Sequence, residues 1–265
     1  MSIITKDLFN ATDYGLKSQY YSEPIYDLLS KVSYTNPKNI LDIGCGSGNS
    51  SKAILAKWSE ANILGIDSSQ SMVAEAIRTN STEKIKFSYD SIEGFVFKNK
   101  FDIILSFATL QFVFNHNLLL PNLLDKLTTK GILAIQMPNN FDSPLHRAIN
   151  ETALEKPFNE HLVNFNPFNW QDANYYFSIL SQIKNVKYKI WEITYFRNDS
   201  LDGLIEWSMT TSMLPYLKKV PATLQSDFVT KVRNIITSQY PVITSNQIVY
   251  KQKRIFILIE KVPNY

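Results

Sequence analysis

The sequence is short of the residues that several kinds of site require. Its single cysteine, Cys45, excludes an internal disulfide. With only His116, His146 and His161 beside it, the chain cannot assemble the spaced Cys and His clusters of a zinc site, and no metal is expected. A reducing, cytoplasmic setting fits that cysteine usage. Long apolar runs are missing too. The longest, Ile103 to Phe114, contains Ser106, Thr109 and Gln111, and it falls short of the roughly 20 residues that span a bilayer. The start, Met1-Ser2-Ile3-Ile4-Thr5-Lys6-Asp7, has no basic segment leading into an apolar one, so no secretory signal is visible. A soluble protein without a membrane partner is the expectation. Charge of one sign is equally scarce, because 27 Lys plus Arg face 24 Asp plus Glu for a formal net charge of +3. That is too dilute for the basic surface that sequence-independent nucleic-acid binding needs. No nucleic-acid partner is expected, and a monomer or weak dimer is.

What the chain does have is apolar content, 45% over 265 residues, enough to bury roughly three quarters of its unfolded surface in a single large domain. From residue 39 short β-branched runs alternate with amphipathic stretches, the pattern of βαβ units around a parallel sheet. Strands are expected at Asn39–Ile43, Asn62–Ile66, Ile85–Tyr89, Phe101–Ser106 and Gly131–Met137, with helices at Asn49–Trp58, Ser69–Arg78 and near Leu118–Leu127. Pro121 then falls near the start of the last of these, where a missing N–H is tolerated. After Pro138 the rhythm changes. Asp142–Leu154 reads as helix, the stretch holding Pro157 and Pro167 as irregular, and Val186–Phe196 as a long strand. Helical segments near Leu201–Met213 and Ala222–Tyr240 precede a closing strand, Arg254–Val262. This gives one domain over residues 1–265. Its sheet core spans about 35–140, 184–198 and 252–263, and a helical lid is built from about 1–34, 142–182 and 199–242.

Of only 8 glycines, three fall in Leu41-Asp42-Ile43-Gly44-Cys45-Gly46-Ser47-Gly48. Between a strand and a helix, Gly44, Gly46 and Gly48 allow a tight turn with positive φ and let a ligand approach bare backbone. A dinucleotide fold wants GxGxxG, but Asn49 stands where the third glycine belongs. Asp42, two residues before the first glycine, would repel a diphosphate and could accept from a cationic amine. Asp67 ends the second strand, 19 residues beyond Gly48, near the spacing of about 20 at which an acid reaches ribose hydroxyls; a role in capping the next helix is compatible with that. Asp90 follows the third strand and could reach an adenine amino group, with Ser91 and Ile92 lining the ring, although alone it reads equally as a turn residue. A ligand carrying an ammonium group and a ribose, such as S-adenosylmethionine, suits this set.

These residues resemble motif I and the next two acidic positions of the class I S-adenosylmethionine-dependent methyltransferases. More narrowly, Ala108-Thr109-Leu110-Gln111-Phe112, the run from Gln136 to Arg147, Trp191 to Phe196 and Arg254 to Ile257 resemble the trans-aconitate methyltransferases, and the likeness covers nearly the whole chain. The resemblance implies an α/β, Rossmann-like, seven-stranded class I methyltransferase sheet with a helical lid, its last strand inserted antiparallel. It implies a cofactor, S-adenosyl-L-methionine with product S-adenosyl-L-homocysteine, held by Asp42, Gly44, Cys45, Gly46, Gly48, Asp67, Ser68, Met72, Asp90, Ser91, Ile92, Ser106, Phe107 and Gln111. It also implies methyl transfer to a carboxylate oxygen of a small polycarboxylic acid. Three positions depart from the family pattern: Leu214 stands where arginine is expected, Arg197 where histidine is expected, and Glu23 replaces an arginine ahead of Pro24.

A carboxylate is already ionised at pH 7, so its methylation needs alignment and exclusion of water rather than a base, and no catalytic residue is assigned. A hydroxyl or amine acceptor would need one, with His116 or His146 as candidates. Ser143-Pro144 reads as N-cap and first helical position. This puts His146 and Arg147 in a first turn that favours anions, although a solvated Arg147 is an equal reading. The acceptor site is expected to draw on Tyr20, Tyr21, His146, Arg147, Tyr195, Arg197 and Trp207. Two rivals stand beside this reading: methylation of a malonyl-carrier-protein thioester docked on Lys251, Lys253 and Arg254, and a non-catalytic binder that kept the fold.

Overall fold

The computed structural model describes residues 19–244 and 246–263, with the side chains of residues 19, 20, 21 and 244 outside that description. Helix α1 (Gln19–Lys31) leads to β1 (Asn39–Ile43), α2 (Asn49–Lys57), β2 (Asn62–Asp67), α3 (Gln70–Asn80), β3 (Ile85–Tyr89), β4 (Phe101–Phe107), α4 (His116–Asp125) and β5 (Leu127–Pro138). There follow α5 (Pro144–Leu154), α6 (Ala173–Leu180), β6 (Val186–Ser200), α7 (Leu201–Met209), α8 (Leu214–Leu217), α9 (Ala222–Thr237), β7 (Val242–Thr244) and β8 (Gln247–Lys261). The sheet runs β3-β2-β1-β4-β5-β8-β6, and the short β7 pairs with β8 off this path. The seven expected strands are therefore joined by an eighth.

β1 is parallel to β2 and β4, β4 is parallel to β5, and β8 returns antiparallel to β5. Ile40, Leu41 and Ile43 of β1 and Ile103, Ile104 and Leu105 of β4 are buried, the near-continuous apolar run of strands covered on both faces. The strand order reverses at β1, with β2 and β3 on one side and β4 and β5 on the other. The carboxyl ends of β1 and β4 thus flank the switch point at which open α/β sheets bind ligands.

Several elements differ from their expected spans. α4 starts at His116, so Pro121 lies inside the helix and not near its start. β5 begins at Leu127 instead of Gly131, with an irregularity in its register against β4. α6 forms in the stretch expected to be irregular; Asp172 caps it by accepting from Tyr175 N at 2.9 Å, and Tyr176 and Leu180, one turn apart, are buried. The single helix expected over Leu201–Met213 stops at Met209, and Pro215 near the start of α8 marks a new one. β6 and β8 each run to 15 residues.

The chain forms two compact units. The first comprises residues 1–138, 168–193 and 254–265, the second residues 139–167 and 194–253. In the first, Leu41, Ile43, Ile104, Leu133, Ile135 and Ile257 of the sheet pack with Leu120, Leu123 and Leu124 of α4 and with Tyr176 and Leu180 of α6. α1 and α6 belong to this unit. In the second, α9 packs on α5, and Phe228 meets Phe158 edge to face at 5.1 Å. Burial pushes the Tyr216 phenol of that unit up to about 12. Among the described residues no helix is long and apolar enough to cross a membrane.

Candidate functional site

The turn after β1 is built as its glycines require. Gly44, Gly46 and Gly48 have φ of 73°, 53° and 92°, a region costly for residues with a Cβ. A Cβ on Gly44 would sit 1.9 Å from Thr109 Oγ1, and one on Gly48 would sit 2.9 Å from Phe87 Cζ. At Gly46 a Cβ would meet nothing within 4 Å, so this is the point where the turn is open. Four of the turn's amides are already committed. Gly44 N and Cys45 N both donate to Ile66 O, Gly48 N donates to Cys45 O, and Gly46 N donates to Asp67 Oδ2 at 2.9 Å. A pyrophosphate would need such amides free and would face Asp67 besides. The turn suits a ligand that brings positive charge and hydroxyl donors.

Asp42 does not present its carboxylate at the surface. It is fully buried, and its Oδ2 accepts from Ser50 Oγ and Ser51 Oγ, each at 2.6 Å. Through Oδ2 it fastens the first turn of α2 to the end of β1, a structural role that the sequence did not show, while Oδ1 is buried without a hydrogen-bond partner among the described residues. Burial above all, eased by the two serines and reinforced by the charge of Asp67, pushes its carboxyl up to about 6. Asp67 is half-buried and accepts from Gly46 N and, through Oδ1, from Ser69 N at 2.8 Å. A carboxylate offers about four acceptor positions, and this one stands beside the open side of the turn at Gly46. Ser68 beside it is exposed, and Met72 is buried in α3.

Asp90 N donates to Asp67 O, which aligns the ends of β2 and β3, and Ser88 Oγ donates to Asp90 Oδ2 at 2.5 Å. Ser91 is half-buried and Ile92 buried. On the other side of β1, Ser106 is fully buried and its Oγ donates to Ile43 O, so it ties β4 to β1. Phe107 is buried, and Gln111 Nε2 donates to Ala108 O at 2.7 Å. The expected cofactor residues thus line the carboxyl ends of β1 to β4 in one unit. Cys45 is packed against Gly65, and burial raises its thiol well above the ordinary value. Sequence reasoning missed Thr109, whose side chain sits on Gly44, and Asn80, whose Nδ2 donates to Ser47 O at 2.8 Å. It also missed the serine pair beneath Asp42. A single hydroxyl or amide of this kind carries no motif; only the fold brings it to the turn.

The residues expected to hold an acceptor fall mostly in the second unit. Tyr20 and Tyr21 lie outside the described side chains. His146 is buried, with Nδ1 2.8 Å from Ser143 Oγ, and Ser143 caps α5 as expected. His146 and Trp207 line one small cavity together with Ser143, Tyr240, Tyr250 and Gln252. The Arg197 guanidinium lies 5.1 Å over the Tyr195 ring, and its Nε donates to Gln252 Oε1 at 3.2 Å. Arg147 is exposed and donates to Asp142 O. Gln252 went unnoticed in the sequence, although one signal was there: it continues the buried positions Ile248 and Tyr250 of β8 with a polar side chain.

Two expectations are corrected. His116 is no base: it is fully buried between Tyr176 OH and Leu110 O, each 2.9 Å from a ring nitrogen, and burial holds its pKa below the ordinary value. The basic trio is not one continuous basic surface. Arg254 is buried, Lys253 pairs with Asp142 at 3.0 Å, and Lys251 lies over Phe196.

A strand order reversing at β1, a glycine turn open at one point and acids at the ends of adjacent strands define a class. The methyltransferase domain family matches residues 35–192. The chain belongs to that family and is a class I S-adenosylmethionine-dependent methyltransferase. Among its relatives is the trans-aconitate 2-methyltransferase of Escherichia fergusonii, 32% identical over 241 residues that cover 91% of this chain and 93% of the relative. That of Yersinia pseudotuberculosis is 32% identical over 252 residues, covering 93% and 96%. The solved structure of the YcgJ protein from Bacillus subtilis is similar with a TM-score of 0.63 at 15% identity, over 92% of this chain and 100% of the other. The plantazolicin methyltransferase BpumL, in complex with SAH, gives a TM-score of 0.55 at 17% identity, over 95% and 88%. These two likenesses concern the fold alone.

Proposed function

We propose that this methyltransferase esterifies a carboxylate of a small polycarboxylic acid such as trans-aconitate. The observation that carries the reading is the likeness to the trans-aconitate 2-methyltransferases along nearly the whole chain, and the commitment of His116, one of the two candidate bases, to Tyr176 and Leu110 agrees with it. A hydroxyl or amine acceptor needs a proton acceptor, whereas a carboxylate brings its own anionic nucleophile.

The residues present fit the cofactor. Gly46 opens the turn, Asp67 offers acceptors for ribose hydroxyls, and Asp90 with Ile92 suits an adenine. S-Adenosylmethionine, when bound, supplies a methyl group activated on a sulfonium; the oxygen–carbon bond forms as the carbon–sulfur bond breaks, leaving a methyl ester and a neutral thioether. The protein's share is to orient and to exclude water. Arg197 and His146 supply the charge and hydrogen bonds for the nonreacting carboxylates, since a multiply charged acid cannot be buried without such partners.

The test is a panel of di- and tricarboxylic acids with radiolabelled cofactor, read as label in base-labile ester. Trans-aconitate is expected to be labelled, and Arg197→Leu to raise its Michaelis constant while the affinity for S-adenosylhomocysteine stays the same. Labelling of a thioester or hydroxyl substrate, with no acid modified, would overturn the reading.

A further inference from the structure

We infer that Gln252 is an acceptor-recognising residue, a donor for a carboxylate or carbonyl oxygen, which Arg197 locks in its donating orientation. The inference rests on the proposed esterification and names a group in the acceptor site that the family likeness does not supply.

Gln252 lies in the polar half of β8 and is 2% exposed. Its Oε1 accepts from Arg197 Nε. A guanidinium donates only, so the amide cannot be turned over without facing N–H to N–H, and Nε2 is held away from Arg197. That nitrogen is buried and has no hydrogen-bond partner among the described residues. Buried polar groups are nearly always paired, and one left unpaired destabilises the fold. Gln252 also lines the cavity that His146, Ser143 and Trp207 share. A fixed, buried and unpaired donor, on a side chain that lines a cavity with other hydrogen-bonding groups, is matched by an acceptor oxygen on a ligand.

The chemistry of the surroundings narrows the class. An apolar ligand would leave the N–H groups unmet, and an ammonium would meet the charge of Arg197 bonded to the same amide. A carboxylate satisfies the donor and is attracted by that charge. A lone amide also discriminates by geometry: it can bind one oxygen of a given carboxylate but cannot replace the planar two-point grip of an arginine. Gln252 with Arg197 behind it is therefore a different way of holding an acid from the arginine that the family pattern carries where this chain has Leu214.

Two variants separate recognition from structure. Gln252→Glu keeps an oxygen for Arg197 Nε and replaces the donor with a second anionic oxygen; Gln252→Leu removes both. The full chain is assayed with trans-aconitate and, in parallel, titrated with S-adenosylhomocysteine by calorimetry, with circular dichroism as the check on folding. Both variants should bind S-adenosylhomocysteine as the wild type does. Both should raise the Michaelis constant for trans-aconitate by roughly ten- to a hundredfold, the range one hydrogen bond to a charged group implies, with Gln252→Glu the more impaired and kcat moving less. If the wild type esterifies trans-aconitate and Gln252→Glu keeps a Michaelis constant within about twofold, the amide is structural and the inference fails while the proposed function stands. Should the folded wild type esterify no acid of the panel, both fail together.

Discussion

Asp67 accepts from two backbone amides, so its removal has two separable consequences. Asp67→Ala should lose ribose acceptors, each charge-assisted bond being worth about 1.5–3 kcal/mol, and calorimetry should show S-adenosylhomocysteine affinity falling at least about tenfold. An unchanged affinity in a folded variant would sink the ribose assignment. Asp42, one strand away, predicts a pH effect. Its carboxyl is raised to about 6 chiefly by burial, so the folded chain holds that proton more tightly than the unfolded chain does. The ionised form costs stability above about pH 6, on the order of 3 kcal/mol by linkage, and that cost is relieved as pH falls toward about 4. Relative to Asp42→Asn, the wild type should therefore gain unfolding free energy between about pH 7 and 4.5 in urea titrations. The opposite trend would mean that groups around Asp42 favour its charge. Cys45 sits between these acids with its thiol raised, which makes it an inert packing residue. Cys45→Ala should keep activity within a few-fold, and complete inactivation with cofactor binding intact would point to covalent chemistry.

The glycine turn allows a test at the scale of an element, because its glycines are required for different reasons. Gly44→Ala brings both a left-handed backbone and a clash with Thr109; strain and overpacking together are worth about 2–5 kcal/mol, read as a lower urea midpoint. Gly46→Ala brings the backbone cost of about 1 kcal/mol alone, but its methyl projects into the open side of the turn. It should lose more in cofactor affinity than in stability. Equal losses in both variants would place the ligand elsewhere. The turn was legible because glycines and acids cluster between an apolar strand and an amphipathic helix. β1 to β4 were legible within a residue for the related reason that their apolar runs stop at turn residues. α6 was not: Ala173 to Leu180 is rich in aromatics, and it becomes helical because Tyr176 and Leu180 bury one face. The added residues of β6, Arg197 to Ser200, are polar, and those of β8, Gln247 to Lys253, alternate in burial; the start of β8 pairs with β7, a backbone contact that a stretch of mixed polarity does not announce.

For the whole molecule, ligand binding and folding are one equilibrium. S-Adenosylhomocysteine at about 100 times its dissociation constant stabilises the chain by about 2.7 kcal/mol, which for a domain near this size corresponds to roughly 5–10 °C in Tm. Calorimetric scans should show that rise in the wild type and its loss in Asp67→Ala. A comparable rise with NAD instead would contradict the commitment of the Gly44, Cys45, Gly46 and Gly48 amides within the protein.

The sequence by itself determined the class of fold and the cofactor end of the chemistry. Both rest on local patterns: apolar periodicity sets strands and helices, and a turn with positive φ at three positions in five residues is most readily written with glycines. What it left open was the role of each polar side chain. Asp42 read as a ligand and turned out also to anchor Ser50 and Ser51, His116 read as a possible base and proved to be sealed in the core, and Gln252 did not stand out at all. Only the tertiary structure decided these, because a polar group's function follows from burial and from the partner that satisfies it, and those partners lie from 6 to 60 residues away in the chain.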